Sequence, residues 1–262
     1  MAGEIRIGCS GWQYRHWRGR LYPEGLPAGR WFDRYVEAFD TVELNVTFYG
    51  QPRPSVFEGW ARRAPDHFRF AVKASRFLTH VRRLQQPKDS IDVLMEGASR
   101  LGPHLGPILI QLPPDLPVEP ARLEETLEAF PADVRVALEP RHRSWFTDEV
   151  REILHAHGAA LCWADRRGPV TPADRSWATA GWGYVRFHGG RASPRGCYGP
   201  AALDAWAGRL RDAWPREAEV FAYFNNDRRG CAPRDAAVFA GLAARGHLEP
   251  SRTPELEEVP VG

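Results

Sequence analysis

TVELNVTFYG, residues Thr41 to Gly50, alternates. Val42, Leu44 and Val46 share one face of an extended strand, and Thr41, Glu43, Asn45 and Thr47 share the other, because successive strand side chains point to opposite sides. The pattern predicts a strand over Thr41–Tyr49. Its second face carries a carboxylate and an amide, which suits either a solvated sheet surface or the inside of a site. The rest of the chain decides between the two.

Seven further apolar runs read as strands: Ile5–Ser10, Phe68–Ser75, Pro107–Leu112, Val134–Arg141, Ala159–Asp165, Tyr184–Gly190 and Val220–Asp227. Helical patterning falls between them, for example over Pro54–Arg63, Ser90–Leu105, Ala121–Phe130, Thr147–His157, Ala201–Trp214 and Pro233–Arg245. The connection after the sixth strand, RRGPVTPADRSW, is poor in helix signal, so a short or missing helix is expected there. Strands alternating with helices in 262 residues predict an α/β fold, a single-domain (β/α)8 barrel of the TIM type. A doubly wound open sheet is the alternative, but GCSGW after the first strand lacks the GxGxxG spacing. The barrel is expected over residues 1–248, and the acidic, proline-containing residues 249–262 as a disordered tail.

Composition narrows the class. Hydrophobic residues at 43% and charged residues at 26% are ordinary for a soluble globular chain. A net charge of +2 gives no overall basic surface that would single out nucleic acid as a partner, although it leaves nucleic acid open. No apolar run approaches a membrane span, and the N-terminus enters a strand with no signal-peptide core, so a cytoplasmic protein with no membrane partner is expected. Cys9, Cys162, Cys197 and Cys231 show neither CxxC nor zinc spacing. Cys197 and Cys231 fall in expected loops and could meet, but a reducing compartment favours unpaired thiols. Two features stand out: 10 tryptophans, and almost no lysine beside many arginines, Lys73 and Lys88 being the only two.

Applied to every strand, the alternation gives each one apolar face and one face that ends in polar groups. The polar set is Ser10, Glu43 and Asn45, Lys73, Gln111, Glu139 and Arg141, Asp165, Arg186 and His188, Asn225 and Asp227. Val72, Ile110, Leu112, Leu138, Val185 and Phe187 would face the helices. In a barrel the polar ends converge on the C-terminal mouth, where active sites are built. The second face of TVELNVTFY is thus expected to be one sector of a ring. A plug of paired charges is the plain alternative, but apolar residues would fill a barrel at less cost.

The motifs GCSGWQYRHW, Tyr22–Pro23, DTVELNVTFY, FAVKAS with Thr79–His80, LGPILIQLPP, EPRHRSW, YVRFHGG and YFNND resemble the YecE-like family, domain of unknown function 72. The resemblance runs from the first strand to the last helix. It implies a TIM-type barrel and no particular activity. Cys9 stands where that family often has Thr, and Pro140 where an aromatic is usual; neither removes a charged position.

Lys73 is the sharpest chemical clue. Arginine does not deprotonate in a protein, whereas a desolvated lysine can act as base or Schiff-base nucleophile, so a lysine kept at a strand end in an arginine-rich chain suggests that the amine is used. Lys73, Glu139, His188, Glu43 and Asp165 are the candidate catalytic residues. Asn45, Gln111, Arg141, Arg186, Asn225 and Asp227, with the aromatic residues Trp12, Tyr14, Trp145 and Tyr198, are the candidate substrate-binding residues. Arginines beside carboxylates suit a polar, anionic or sugar-like small molecule, and the loops HGGRASPRG and NNDRRGCAP suit a phosphate on it. No cofactor is expected. A divalent metal on Glu139, Asp165, His188 and Asp227 competes as a reading, with nucleic-acid or sugar-phosphate chemistry, but Arg141 and Arg186 oppose it electrostatically. A glycosidase using Glu43 and Glu139, and a non-catalytic ligand-binding protein, are the other rivals.

Overall fold

Strand-forming runs separated by 3.6-period segments bury both sheet faces, and a parallel sheet with helices outside is the arrangement that does so. The computed structural model describes residues 4–168, 170–192, 195–246 and 248–254. The strands are β1 Ile5–Ser10, β2 Thr41–Leu44, β3 Arg69–Lys73, β4 Leu105–Gln111, β5 Val136–Glu139, β6 Ala160–Asp165, β7 Gly183–Phe187 and β8 Val220–Phe224. They form a closed barrel in sequence order, and β8 returns to β1 in parallel register from Ile5 opposite Val220 to Cys9 opposite Phe224. The helices are α1 Trp31–Ala38, α2 Val46–Tyr49, α3 Pro54–Arg63, α4 Lys88–Ala98, α5 Pro120–Glu128, α6 Asp148–Ala156, α7 Pro200–Ala213 and α8 Cys231–Arg245. The fold is a (β/α)8 barrel of the TIM type. Between β6 and β7 the only described helical element is a 3-10 turn at Arg175–Trp177.

The two faces of the strands separate into two buried clusters. Ile5, Ile7, Val42, Leu44, Val72, Ile110, Leu138 and Val185 pack outward against the helices. Inside lie Ala71, Leu109, Ala137, Ala160, Cys162, Ala164, Tyr184, Phe221 and Tyr223. The small residues of β3, β5 and β6 leave the volume that the long side chains of β7 and β8 fill, as close packing requires. Gly8 belongs to the same constraint: a Cβ there would stand 2.1 Å from the Thr41 carbonyl oxygen, so β1 and β2 meet only because residue 8 has none.

The stretch that announces the barrel is strand for only half its length. β2 ends at Leu44, Asn45 turns into helical space at φ −93°, and Val46–Tyr49 forms one helical turn. The Thr47 hydroxyl lies 2.6 Å from the Lys73 carbonyl oxygen and 3.1 Å from that of Leu44, and this side-chain bond competes with strand continuation. The alternation predicted over Val46–Tyr49 is therefore corrected. Helix α1, WFDRYVEA, is absent from the sequence expectation.

Residues 249–254, expected as the start of a disordered tail, run beside β1. The Ile5 amide donates to the Glu249 carbonyl at 2.9 Å and the Ser251 amide to that of Ile5 at 3.0 Å. Residues 255–262 lie outside the described residues. The cysteine expectation is also overturned: Cys197 and Cys231 form a disulfide, while Cys9 and Cys162 are free and buried. The bond ties the loop after β7 to the first residue of α8.

Many tryptophans bridge layers. Five indole N–H groups donate to main-chain carbonyls: Trp31 to Leu26, Trp145 to Leu116, Trp163 to Trp177, Trp182 to Gly158 and Trp214 to Ala180. Trp17 and Trp206 donate instead to the carboxylates of Asp227 and Asp165.

The disulfide closes a sequence separation of 34 residues. Loop-closure entropy then assigns it about 3–4 kcal/mol. Replacing both cysteines with serine should lower the unfolding free energy measured in urea by that amount, and reductant should do the same to the unsubstituted protein but not to the variant.

Candidate active site at the barrel mouth

Arg186, on the inward face of β7, is fully buried. A buried guanidinium must be met by carboxylates. Its Nη2 donates to Glu43 Oε1 at 2.8 Å, and its Nη1 donates to Glu139 Oε2 and, at 3.3 Å, to Gln111 Oε1. The guanidinium thus spans the barrel from β2 to β5. Glu43 also accepts from Ser10 Oγ and from the Tyr184 hydroxyl, both at 2.7 Å. Arg141 donates to Glu139 Oε1 at 3.1 Å and to Gln111 Oε1 at 3.0 Å. Burial pushes both carboxyls upward, but Arg186 foremost outweighs it: Glu43 ends below the usual carboxylate range and Glu139 well below it. Both are held as carboxylates.

Lys73 stands beside this network without joining it. It is 8% exposed, and no described residue forms an ion pair or hydrogen bond with its amine. The Nζ sits 4.0 Å above the Phe48 ring instead. Burial first, and Arg186 second, lower its pKa to about 8 from an ordinary 10.5, with Glu43 and Glu139 pulling the other way. Both supporting groups come from TVELNVTFYG: Thr47 holds the Lys73 carbonyl, and the next residue, Phe48, covers the amine.

His188, just beyond β7, completes the cluster. Its Nδ1 is 3.1 Å from Asn225 Nδ2, so the neutral ring accepts there and carries its proton on Nε2. Nε2 lies 3.3 Å from Glu139 Oε1 without hydrogen-bond alignment. Burial, then Arg186, lower its pKa, so the ring is neutral at pH 7.

Lys73, Glu43, Glu139, Gln111, Arg141, Arg186, His188 and Asn225 are therefore brought together as the strand alternation predicts. Other expected members are not. Asp165 lies on the outward parity of β6, with Trp163, and its carboxylate accepts from Trp206 on α7 at 3.1 Å. Trp145 is fully buried and donates to the Leu116 carbonyl, so it packs rather than offering a face to a ligand. Tyr198 is 2% exposed and packs edge-on against Phe187. Trp12, Tyr14 and Asn45 line a separate cleft of about 360 Å³ with Trp60. Asp227 accepts from Trp17 Nε1 and meets His16 Nε2, both at 2.7 Å, at the edge of a loop cavity that Asn225 and His188 also line. Tyr184, Thr47 and Phe48 escape the sequence reading. Tyr184 had a signal, since it shares the parity of Arg186, but it looks apolar in a strand.

This geometry weighs on two rivals. Of Glu139, Asp165, His188 and Asp227, the proposed metal set, only Glu139 and His188 approach each other. Among the described residues the one tight cluster of metal-type donors is Cys197, Cys231 and Asp235, whose sulfurs are joined in the disulfide. A glycosidase needs one carboxyl held protonated, and Arg186 holds both Glu43 and Glu139 ionised.

A sequence profile described as "Protein of unknown function DUF72" matches residues 6–258. UPF0759 protein YecE of Escherichia coli K12 is 30% identical over 175 residues, covering 64% of this chain and 61% of that protein, so the chain matches about three fifths of that relative's length. UPF0759 protein YunF of Bacillus subtilis is 27% identical over 258 residues, covering 87% of this chain and 90% of that protein. Among solved structures, the DUF72 family protein TM1631 of Thermotoga maritima has a TM-score of 0.80 at 28% identity, covering 92% of this chain and 99% of that one. SacUVDE, at 6% identity and a TM-score of 0.55, shares the fold.

Two outcomes follow from the network. Arg186→Met leaves two buried carboxylates without their counter-charge and should cost about 3–5 kcal/mol in urea unfolding. With only two lysines in the chain, lysine-selective NMR gives two side-chain signals. One should titrate near 8 and belong to Lys73, while Lys88, raised by its bond to Asp92, titrates above 10.5. Because the Lys73 value is depressed on folding, its cost to stability is fully present below pH about 8 and fades as pH rises toward 10.5. Lys73→Met should flatten that part of the stability profile.

Proposed function

Since this chain belongs to the DUF72 family of proteins of unknown function, whose matched names supply no reaction, we propose from the site itself that it is an enzyme acting on a polar, anionic small molecule by acid/base chemistry at the barrel mouth. The observation that carries this reading is the Lys73 amine, desolvated, without an acceptor among the described residues, and lowered to about 8. A lysine kept for structure would be paired; this one is held ready to lose its proton near neutral pH.

Roles follow from the surroundings. Neutral Lys73 takes a proton from the substrate or attacks an electrophilic carbon on it. His188, neutral at pH 7 with its proton on Nε2, donates a hydrogen bond from that nitrogen to a substrate oxygen and polarises it, and Glu139 beside the ring supports the positive charge that develops there. Arg141, 26% exposed, is the guanidinium that can reach a substrate anion, whereas the buried Arg186 fixes the field around it. A divalent-metal enzyme of nucleic acid or sugar phosphate is less well supported, because its donors are not gathered. A cytoplasmic setting belongs to the same proposal.

The test is a turnover screen of anionic carbonyl compounds and sugar acids by proton NMR, run on the wild type and on Lys73→Arg. Arginine keeps the charge and cannot deprotonate, so turnover should vanish while the melting temperature holds. Full activity in Lys73→Arg would remove the amine from the chemistry. His188→Phe should lower the rate by about 10²–10³.

A further inference from the structure

Above His188 the loops that follow β6, β7 and β8 enclose a cavity of about 440 Å³. That volume suits a small ligand. Its wall carries Arg166 and Arg167 from the first loop, Arg195 from the second and Arg228 from the third, with Asn225, Asn226 and His188 at its base. None of these four arginines forms an ion pair with a described carboxylate. About half of the other arginines are ion-paired, as in Arg6 with Glu219, Arg63 with Asp33 and Arg216 with Glu249; what sets these four apart is that they line one cavity. The single carboxylate of the wall, Asp227, is engaged by Trp17 and His16.

Four like charges around one cavity repel one another, and among the described residues the nearby carboxylates, Asp227 in the wall and Glu139 below it, are already engaged by other groups. Four buried polar atoms of the wall residues have no hydrogen-bond partner: the donors Arg166 Nε and His188 Nε2, the latter turned toward Glu139, and the acceptors Asn226 Oδ1 and Asp227 Oδ2. Planar guanidinium forks with free donors match the oxygens of a phosphate better than they match a carboxylate alone, since a phosphate offers three terminal acceptors and up to two charges.

The wall is also built to hold still. The Gly190 amide donates to the Gly196 carbonyl at 3.0 Å and the Ala192 amide to that of Cys197 at 3.1 Å, closing a narrow loop on which Arg195 rides. A Cβ on Gly190 would stand 2.0 Å from the Cys197 carbonyl oxygen, so only glycine allows that approach. Asn226 Nδ2 donates to the Gly196 carbonyl at 3.0 Å and to Asp235 at 2.7 Å, and the Tyr198 amide donates to Asp235 at 2.7 Å. The Cys197–Cys231 bond clamps the same loop to α8, just after Arg228. With the backbone that carries them fixed, an arriving anion has only the arginine side chains to order, which favours affinity.

The geometry points to a phosphomonoester subsite in this cavity, with Arg167, Arg195 and Arg228 gripping the phosphate and His188 at the junction with the catalytic mouth. The inference rests on the reading of the mouth as an enzyme site and names the substrate class: a small phosphorylated molecule whose reacting end lies toward His188, Glu139 and Lys73. A monoester dianion satisfies four guanidinium groups better than a singly charged diester link does.

The test is isothermal titration with inorganic phosphate, glycerol 3-phosphate and a ten-nucleotide single-stranded DNA, at low and moderate salt. Saturable one-to-one binding of phosphate and of the monoester is expected, weakened at least about tenfold in the Arg167→Gln/Arg228→Gln double variant. Both positions are exposed, so the fold should survive, and circular dichroism checks it. No saturable binding, or equal binding in the double variant, would overturn the subsite. Tighter binding of the oligonucleotide with a steep salt dependence would overturn the monoester assignment. Lys73→Arg provides the separation: it should leave phosphate binding in place, so a failed turnover reading and a failed phosphate reading give different results.

Discussion

Arg186 bridging Glu43 and Glu139 is the interaction on which the rest of the site depends. An arginine can lie inside a barrel only if carboxylates meet it, and two carboxylates can face each other there only if a cation separates them. The three residues come from β2, β5 and β7, so satisfying the charges fixes the relative height of strands far apart in sequence. Ser10, Tyr184 and Arg141 then take up the remaining carboxylate oxygen positions, and the Gln111 side-chain oxygen accepts from both arginines. With every carboxylate oxygen of that centre spoken for, the Lys73 amine next to it has no partner left and is desolvated in the field of a cation. Its lowered pKa is a by-product of how completely the neighbours are matched to one another.

The architecture separates rigidity from chemistry in the manner of barrels generally. Alanines on β3, β5 and β6 make room for Tyr184, Tyr223 and Arg186, so the interior is a packed solid up to the level of the carboxylates. Above that level the loops carry the positive charge, and the disulfide keeps one of them in place. His188 belongs to both layers, touching Glu139 below and lining the arginine cavity above.

Much of this was readable in the sequence because strand parity is a strict rule. Glu43, Lys73, Gln111, Glu139 and Arg186 share an inward parity at the same end of their strands; four of them bond to one another and Lys73 stands beside them. The rule failed where it was pushed past a strand's end or applied without fixing the phase. Asp165 ends a strand with its side chain outward, because Cys162 and Ala164 hold the inward phase of β6. Trp145 and Tyr198 follow strands but turn back into the helix layer, which loop sequence does not reveal. Val46–Tyr49 alternates like a strand, yet one threonine hydroxyl folds it into a helical turn. The disulfide is not legible because the spacing of Cys197 and Cys231 carries no pairing signal and their proximity is a tertiary fact.

The tryptophan surplus has a consequence of its own. Five indoles hold loops by donating to main-chain carbonyls. A carbonyl acceptor is present whatever side chain the loop residue bears. Such anchoring therefore makes no demand on the sequence of the anchored segment, provided its path is kept. Loops secured in this way are free to drift in sequence while their backbones stay registered to the barrel, so the scaffold can accept new rim residues, and with them new ligands, without first having to find a new way of holding its loops.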